Sequence, residues 1–221
     1  MDSIIQGIAI YALPVIFAIT FHEAAHGYVA KRFGDLTAHR AGRVSLNPIK
    51  HIDPLGTIVV PLIMFITSKL MLGGGILFGW AKPVPVNFNQ LRHPKRDMLW
   101  VAAAGPGANL LMAFFWALII KLGILLPESA FIKPMVLMGI AGIEINVILM
   151  ILNLLPLPPL DGGRIAVSLL PEKLAWKFAQ IEPYGMVILL TLLITGTLGA
   201  ILWPLITLTK QAIIIFFGLY I

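Results

Sequence analysis

Residues 4–30 read IIQGIAIYALPVIFAITFHEAAHGYVA, an apolar run that carries His22, Glu23 and His26 near its end. About 20 helical residues cross a bilayer core of ~30 Å, so the run predicts a membrane-spanning helix with ionisable groups at membrane depth. The rest of the chain agrees. Of 221 residues, 59% are hydrophobic and 12% are charged, far from the mixture of a water-soluble domain. Residues 55–72, 98–126 and 134–155 are further apolar stretches long enough to cross. The tract 184–221 is too long for one crossing and is interrupted by Gly196, Gly199, Pro204 and Lys210, which predicts two helices. The expected fold is an all-α polytopic membrane protein, a bundle of about five to six transmembrane helices.

The first run does not resemble a cleaved leader, because Asp2 stands where a basic region would be and no small-residue cleavage site follows. The chain has no cysteine, which removes disulfides, thiolate ligands and cysteine nucleophiles together. A net charge of +6 is concentrated in loops, so it speaks of membrane topology and against nucleic acid as a partner. No repeat or long polar linker divides the sequence. Residues 1–221 are therefore expected to form one integral-membrane domain, with a core at 4–170 and C-terminal helices at 184–221.

Basic loops orient the bundle. Lys31, Arg32, Arg40, Arg43 and Lys50 follow the first helix and predict a cytoplasmic loop. Lys82, Arg92, Lys95 and Arg96 form a second cluster that a single crossing at 55–72 would put on the opposite side. Residues 55–80 are too few for two full helices but enough for one helix and a return, so a re-entrant excursion is predicted. Backbone at membrane depth is tolerated only inside protein or beside a wet cavity, so the return through Gly73, Gly74 and Gly75 should border a site.

In a helix, His22 and His26 project from one face one turn apart, with Glu23 beside them. This is the H-E-x-x-H pattern, in which two imidazoles hold zinc and the glutamate takes a proton from zinc-bound water. Charged groups within a membrane cost about 2.5–3.5 kcal/mol or more, so their presence points to function rather than packing. A catalytic zinc needs a third protein ligand and an open position. Asp161 is the candidate: it follows Pro156, Pro158 and Pro159, which break the preceding helix, and precedes Gly162 and Gly163, which admit close backbone approach. Counting crossings brings it to the same side as His22 and His26, which outweighs the plain alternative of a helix N-cap. Glu144 is the rival, but it lies mid-helix, ~15 Å towards the opposite side.

With these residues in place, the chain resembles the site-2 protease family of intramembrane zinc metalloproteases. The resemblance rests on four stretches in the family's order: HEAAH at 22–26, GWAKPVPVN at 79–87, AGPGAN at 104–109 and NLLPLPPLDGG at 153–163. It implies that His22, His26 and Asp161 bind one Zn2+ per chain and that Glu23 is the general base. It also implies a prokaryotic minimal core without PDZ or CBS domains, a cell-membrane location with the active site towards the cytoplasm, and a single-pass membrane protein as substrate within the lipid bilayer.

Residues 79–87 alternate proline and valine, which suits an edge strand of a small membrane-associated β-hairpin. A lipid-buried substrate helix offers no free carbonyl, so a protease must unwind and hold it; Trp80, Val84, Pro85, Val86 and Asn87 are the expected substrate-binding residues. A hairpin that only packs the re-entrant segment is the alternative. Asn153 is expected either to steady an oxyanion, as the family pattern suggests, or to make an interhelical hydrogen bond. Asn109, Asn146 and the small residues Gly105, Pro106 and Gly107 are assigned to helix packing. His39, His51 and His93 are expected to be solvated in basic loops, Lys69, Lys121 and Lys210 to snorkel, and Trp100, Trp116, Trp176 and Trp203 to serve in belts or packing.

The predicted activity is an intramembrane zinc endopeptidase. Two other classes use similar residues. A metal transporter would need ionisable groups spaced along a pathway, and few beyond Glu144 are present. A catalytically silent membrane scaffold would not need Glu23 beside both histidines.

Overall fold

The computed structural model describes residues 2–60, 63, 79–125 and 131–219. Among these the protein is all-helical, with α1 (Asp2–Arg32), α2 (Thr37–Arg40), α3 (Pro94–Leu125), α4 (Ile132–Asn153), α5 (Asp161–Leu169), α6 (Glu172–Ala179), α7 (Glu182–Ile194) and α8 (Thr197–Phe217). Four described helices, α1, α3, α4 and α8, are long and apolar enough to cross a membrane. A fifth crossing arises if α6 and α7, bent by 61° at their junction, form one span. The expected tally of five to six included the stretch 55–72, most of which, with Lys69 and the re-entrant return, lies outside the described residues.

Local chemistry sets the ends of these elements. Lys31 and Arg32 occupy the last turn of α1, where cations favour the exposed carbonyls. The chain then turns at Gly34, whose φ of +107° suits glycine, and the Asp35 carboxylate accepts the Thr37 N–H to begin α2. Asp97, in the first turn of α3, accepts the His93 N–H at 2.7 Å, so one of the donors before the helix is satisfied from within it. The C-terminal tract divides as expected into two helices, but only Gly196, with φ +75°, makes the break; Pro204 sits inside α8.

Helices α1, α3 and α4 pack into the centre of the bundle. Glycines on α4 bring it close to α3: a Cβ at Gly142 would lie 2.2 Å from the Trp116 ring, and one at Gly139 would lie 2.3 Å from Ile120. Trp116 is thus a core residue, whereas Trp100, Trp176 and Trp203 are exposed, as a membrane belt requires.

Both basic loops sit at one end of the bundle. Arg92 donates its N–H to the Phe33 carbonyl, and Lys82 donates to the His51 carbonyl. The Trp80 N–H reaches the Gly56 carbonyl at 3.0 Å, and the Thr57 hydroxyl donates to the Trp80 carbonyl at 2.9 Å. The described residues Gly56, Thr57 and Trp80 therefore meet at one place.

Residues 79–87 depart from the expected strand: they carry no regular secondary structure, and among the described residues there is no strand to pair with them. Side chains take the place of a ladder. Arg43 donates to the carbonyls of Lys82 and Pro83, Glu23 accepts the Val84 N–H, and Asp35 accepts the Asn87 N–H. Pro83 and Pro85 have no N–H to offer a neighbouring strand.

Candidate metal centre

The turn at 154–160 and the start of α5 bring Asp161 to α1. A Cβ at Gly162 would stand 2.3 Å from the carbonyl oxygens of Leu154 and Leu155, and one at Gly163 would stand 2.3 Å from the Pro158 nitrogen. The backbone after the proline turn thus folds against itself at a distance that only glycine permits. Gly185 on α7 approaches the same turn, at a position where a Cβ would overlap the Pro158 carbonyl. Asp161 does not cap α5; it is the first helical residue, after Leu160, and its carboxylate turns towards α1.

His22, His26 and Asp161 are all buried and form a group able to hold a metal ion. The His22 and His26 Nε2 atoms are 3.1 Å apart, and they lie 3.2 and 3.3 Å from Asp161 Oδ2. Ligand atoms about 2.0–2.1 Å from a tetrahedral zinc stand ~3.4 Å from one another, close to this triangle. Hydrogen bonding explains why the three atoms need a cation. The His26 Nδ1 lies 2.7 Å from the Val101 carbonyl, which only accepts, so Nδ1 carries the proton and Nε2 presents a lone pair. The His22 Nδ1 lies 2.6 Å from Asn109 Oδ1, again an acceptor. Asp161 Oδ2, buried, has no hydrogen-bond donor. Three acceptors converging in a buried place are stabilised by a positive ion.

Gly105 makes the space. A Cβ there would lie 2.4 Å from His26 Nε2 and 2.6 Å from His22 Nε2, so any side chain would enter the ground between these acceptor atoms and α3. The neighbouring Gly107 has nothing within 4 Å, so the two glycines of this motif differ entirely in demand.

The other predicted residues divide. Glu23 Oε2 accepts the Val84 N–H at 2.8 Å, which ties the residue next to the ligands to the 79–87 stretch. Val84 is buried, and Trp80 covers Gly56, where a Cβ would lie 2.3 Å from the indole nitrogen. The Asn153 amide donates to the Leu149 carbonyl one turn back. Glu144 stands apart from the group, as its mid-helix position predicts, and its carboxylate pairs with Lys210 at 3.0 Å, a partner the sequence reading did not foresee. Lys121 donates to the Phe217 carbonyl at the end of α8. His51 is buried rather than solvated, with Nε2 2.8 Å from the Ser45 carbonyl. Sequence reasoning missed the direct roles of Gly105 and Asn109, and their spacing from α1 holds no signal that would reveal contact.

A relative in Bacillus subtilis strain 168 bearing the name zinc metalloprotease YwhC is 38% identical over 209 residues, which are 93% of this chain and 90% of the relative. The chain belongs to the site-2 protease family, peptidase family M50. The M50 family model matches residues 125–195, which include α4, the proline turn and Asp161. Proteins bearing the name zinc metalloprotease Rip2 are 29% identical in Mycolicibacterium smegmatis, covering 83% of this chain and 66% of that protein, and 28% identical in Mycobacterium tuberculosis H37Rv, covering 85% and 70%. No solved structure matches the chain. As an M50 member with several apolar helices, the protein is a multi-pass membrane zinc metalloprotease.

Proposed function

We propose that this M50 protein is an intramembrane endopeptidase that cuts transmembrane segments of single-pass membrane proteins near the cytoplasmic face. The observation that carries the reading is the triangle of His22 Nε2, His26 Nε2 and Asp161 Oδ2, its two histidines set on a helix otherwise apolar enough to cross the membrane. These three residues are the proposed ligands of one zinc ion. Zinc held there supplies Lewis acidity towards water and the scissile carbonyl.

Glu23 accepts the proton of the attacking water and passes it to the leaving amine. The Val84 N–H bond holds its carboxylate while one oxygen, Oε1, keeps acceptor capacity for water. Residues 80–87 are proposed to hold the unwound substrate: Val84 and Asn87 are pinned by Glu23 and Asp35, while Trp80, Pro85 and Asn87 remain exposed to a partner strand. Asn153, at the end of α4 just before the proline turn, is proposed to steady the oxyanion after releasing the Leu149 carbonyl. The cytoplasmic side follows from the basic residues gathered at the Asp161 end of the bundle. Pairing of Glu144 with Lys210 weakens the transporter reading, because it consumes the one further carboxylate such a pathway would use.

The test combines two readouts on the purified full chain. Wild type should hold about one zinc, and Asp161→Ala should lose most of it. In proteoliposomes, cleavage of single-span peptides should fall by about 10³-fold or more in Glu23→Gln while zinc is retained. Cleavage undiminished in Glu23→Gln would remove the assigned base, and undiminished zinc in Asp161→Ala would remove the third ligand.

A further inference from the structure

Asn109 on α3 and Asn146 on α4 are both completely buried at membrane depth. An amide there is costly unless its donors and acceptor are met. Asn146 donates through Nδ2 to the Gly142 carbonyl at 2.8 Å. A carbonyl cannot donate, so this contact settles which end of the Asn146 amide is nitrogen and turns Oδ1 towards Asn109. Asn109 Nδ2 then donates to Asn146 Oδ1 at 3.0 Å and to the Ala18 carbonyl at 3.2 Å. Both partners are acceptors, so the Asn109 amide is oriented too, and its Oδ1 faces His22 Nδ1 at 2.6 Å.

We infer that Asn109 and Asn146 are positioning residues that set the His22 tautomer, relaying direction from the Gly142 carbonyl to the imidazole so that Nε2 is left as a ligand. The two histidines are thereby held by different means. His26 meets the Val101 carbonyl directly, so its proton position is imposed by backbone alone. His22 has no backbone carbonyl at Nδ1 and depends on side chains from two other helices. The orientation of a ring nitrogen's hydrogen bond decides which nitrogen is free for a metal, and loss of such outer partners weakens metal binding by about 10–100-fold. Ala18 also orients Asn109, so the Asn109 contribution should exceed that of Asn146.

The inference rests on the proposed ligand role of His22, and its first readout is independent of that role. In zinc-free protein with 15N-labelled histidine, nitrogen shifts should report both His22 and His26 with the proton on Nδ1. Asn109→Leu and Asn146→Leu keep side-chain size while removing the amide; both should move His22 towards the Nε2–H form and leave His26 unchanged. Zinc affinity, measured by chelator competition, should fall about 10–100-fold for Asn109→Leu and about 3–10-fold for Asn146→Leu. Asn146→Thr should recover most of the wild-type behaviour, because a threonine hydroxyl can donate to the carbonyl one turn back and accept from Asn109. Wild-type His22 with its Nδ1 unprotonated would overturn the inference without any variant. So would an Asn146→Leu protein whose His22 shifts and zinc affinity match wild type. Failure of wild type to bind zinc, with the tautomers as stated, would instead count against the proposed protease site.

Discussion

The helices that carry the candidate metal centre and those that follow it are built by different rules. In α1, α3 and α4, 33%, 39% and 39% of the apolar stretch is buried within the protein, against 17% in α8. The first group is drawn together by glycines at contact distance and by buried amides; α8 turns Ile201, Trp203, Leu205, Leu208, Ile215 and Phe216 outwards, where lipid would meet them. The difference teaches where tolerance lies. In a membrane, apolar side chains gain little by leaving lipid, so close backbone approach and satisfied polar groups give the site-bearing helices their arrangement. The C-terminal pair joins that core through Leu189, Leu198, Leu202, Ile206 and Ile213, and its polar or close contacts with it include Gly185 against Pro158, Lys121 on the Phe217 carbonyl, and Lys210 with Glu144.

The sharpest way to break this contrast is Gly105→Val. The added atoms would enter the space between the two imidazoles and α3, so zinc affinity should fall by more than about a hundredfold, while Gly107→Ala, with open space around it, should bind normally. Metal content after dialysis against limiting zinc checks both.

Gly162→Ala comes next. Its Cβ would collide with two backbone carbonyls that cannot rotate away, so the proline turn must shift and carry Asp161 with it. A stability loss of about 1–3 kcal/mol is expected, with zinc binding weakened as well. Denaturation in mixed detergent, followed with and without zinc, measures the two effects separately.

An effect on stability alone is expected where α8 meets α4. Glu144→Gln leaves the Lys210 ammonium without its counter-charge and should destabilise by about 1–3 kcal/mol, whereas the double variant Glu144→Gln with Lys210→Met should recover most of that. Zinc content should not change in either. A drop in zinc would mean that the C-terminal pair is coupled to the site more tightly than the packing implies.

The smallest effect belongs to Gly199→Ala on α8. Nothing lies within 4 Å of the added methyl, and alanine is favoured over glycine in a helix interior, so melting should move up by the equivalent of about 0.5–1 kcal/mol or stay level. Destabilisation there would place an unrecognised partner against α8.

Much of the site was legible because its chemistry is local. The spacing of His22 and His26 puts both on one helical face whatever the neighbours do, and Asp161 is marked by prolines that end one helix and glycines that permit another to begin beside it. Assignments failed where a residue's partner is far away in sequence. Lys210 looked like a snorkelling lysine until α8 brought it to Glu144, and His51 looked solvated until the chain covered it. The expected strand at 79–87 failed because its proline pattern describes backbone donors but not which groups take the remaining ones.

From the sequence alone came the membrane, the H-E-x-x-H face and the third acidic residue, since hydrophobicity, helical period and helix breaking are properties of short stretches. Tertiary structure decided what surrounds them: that Gly105 leaves room beside the two imidazoles, that Val101 and Asn109 meet their Nδ1 atoms, and that Glu23 meets the backbone of Val84. Those contacts join residues 61 to 87 positions apart, and only helix packing, not local propensity, determines such distances.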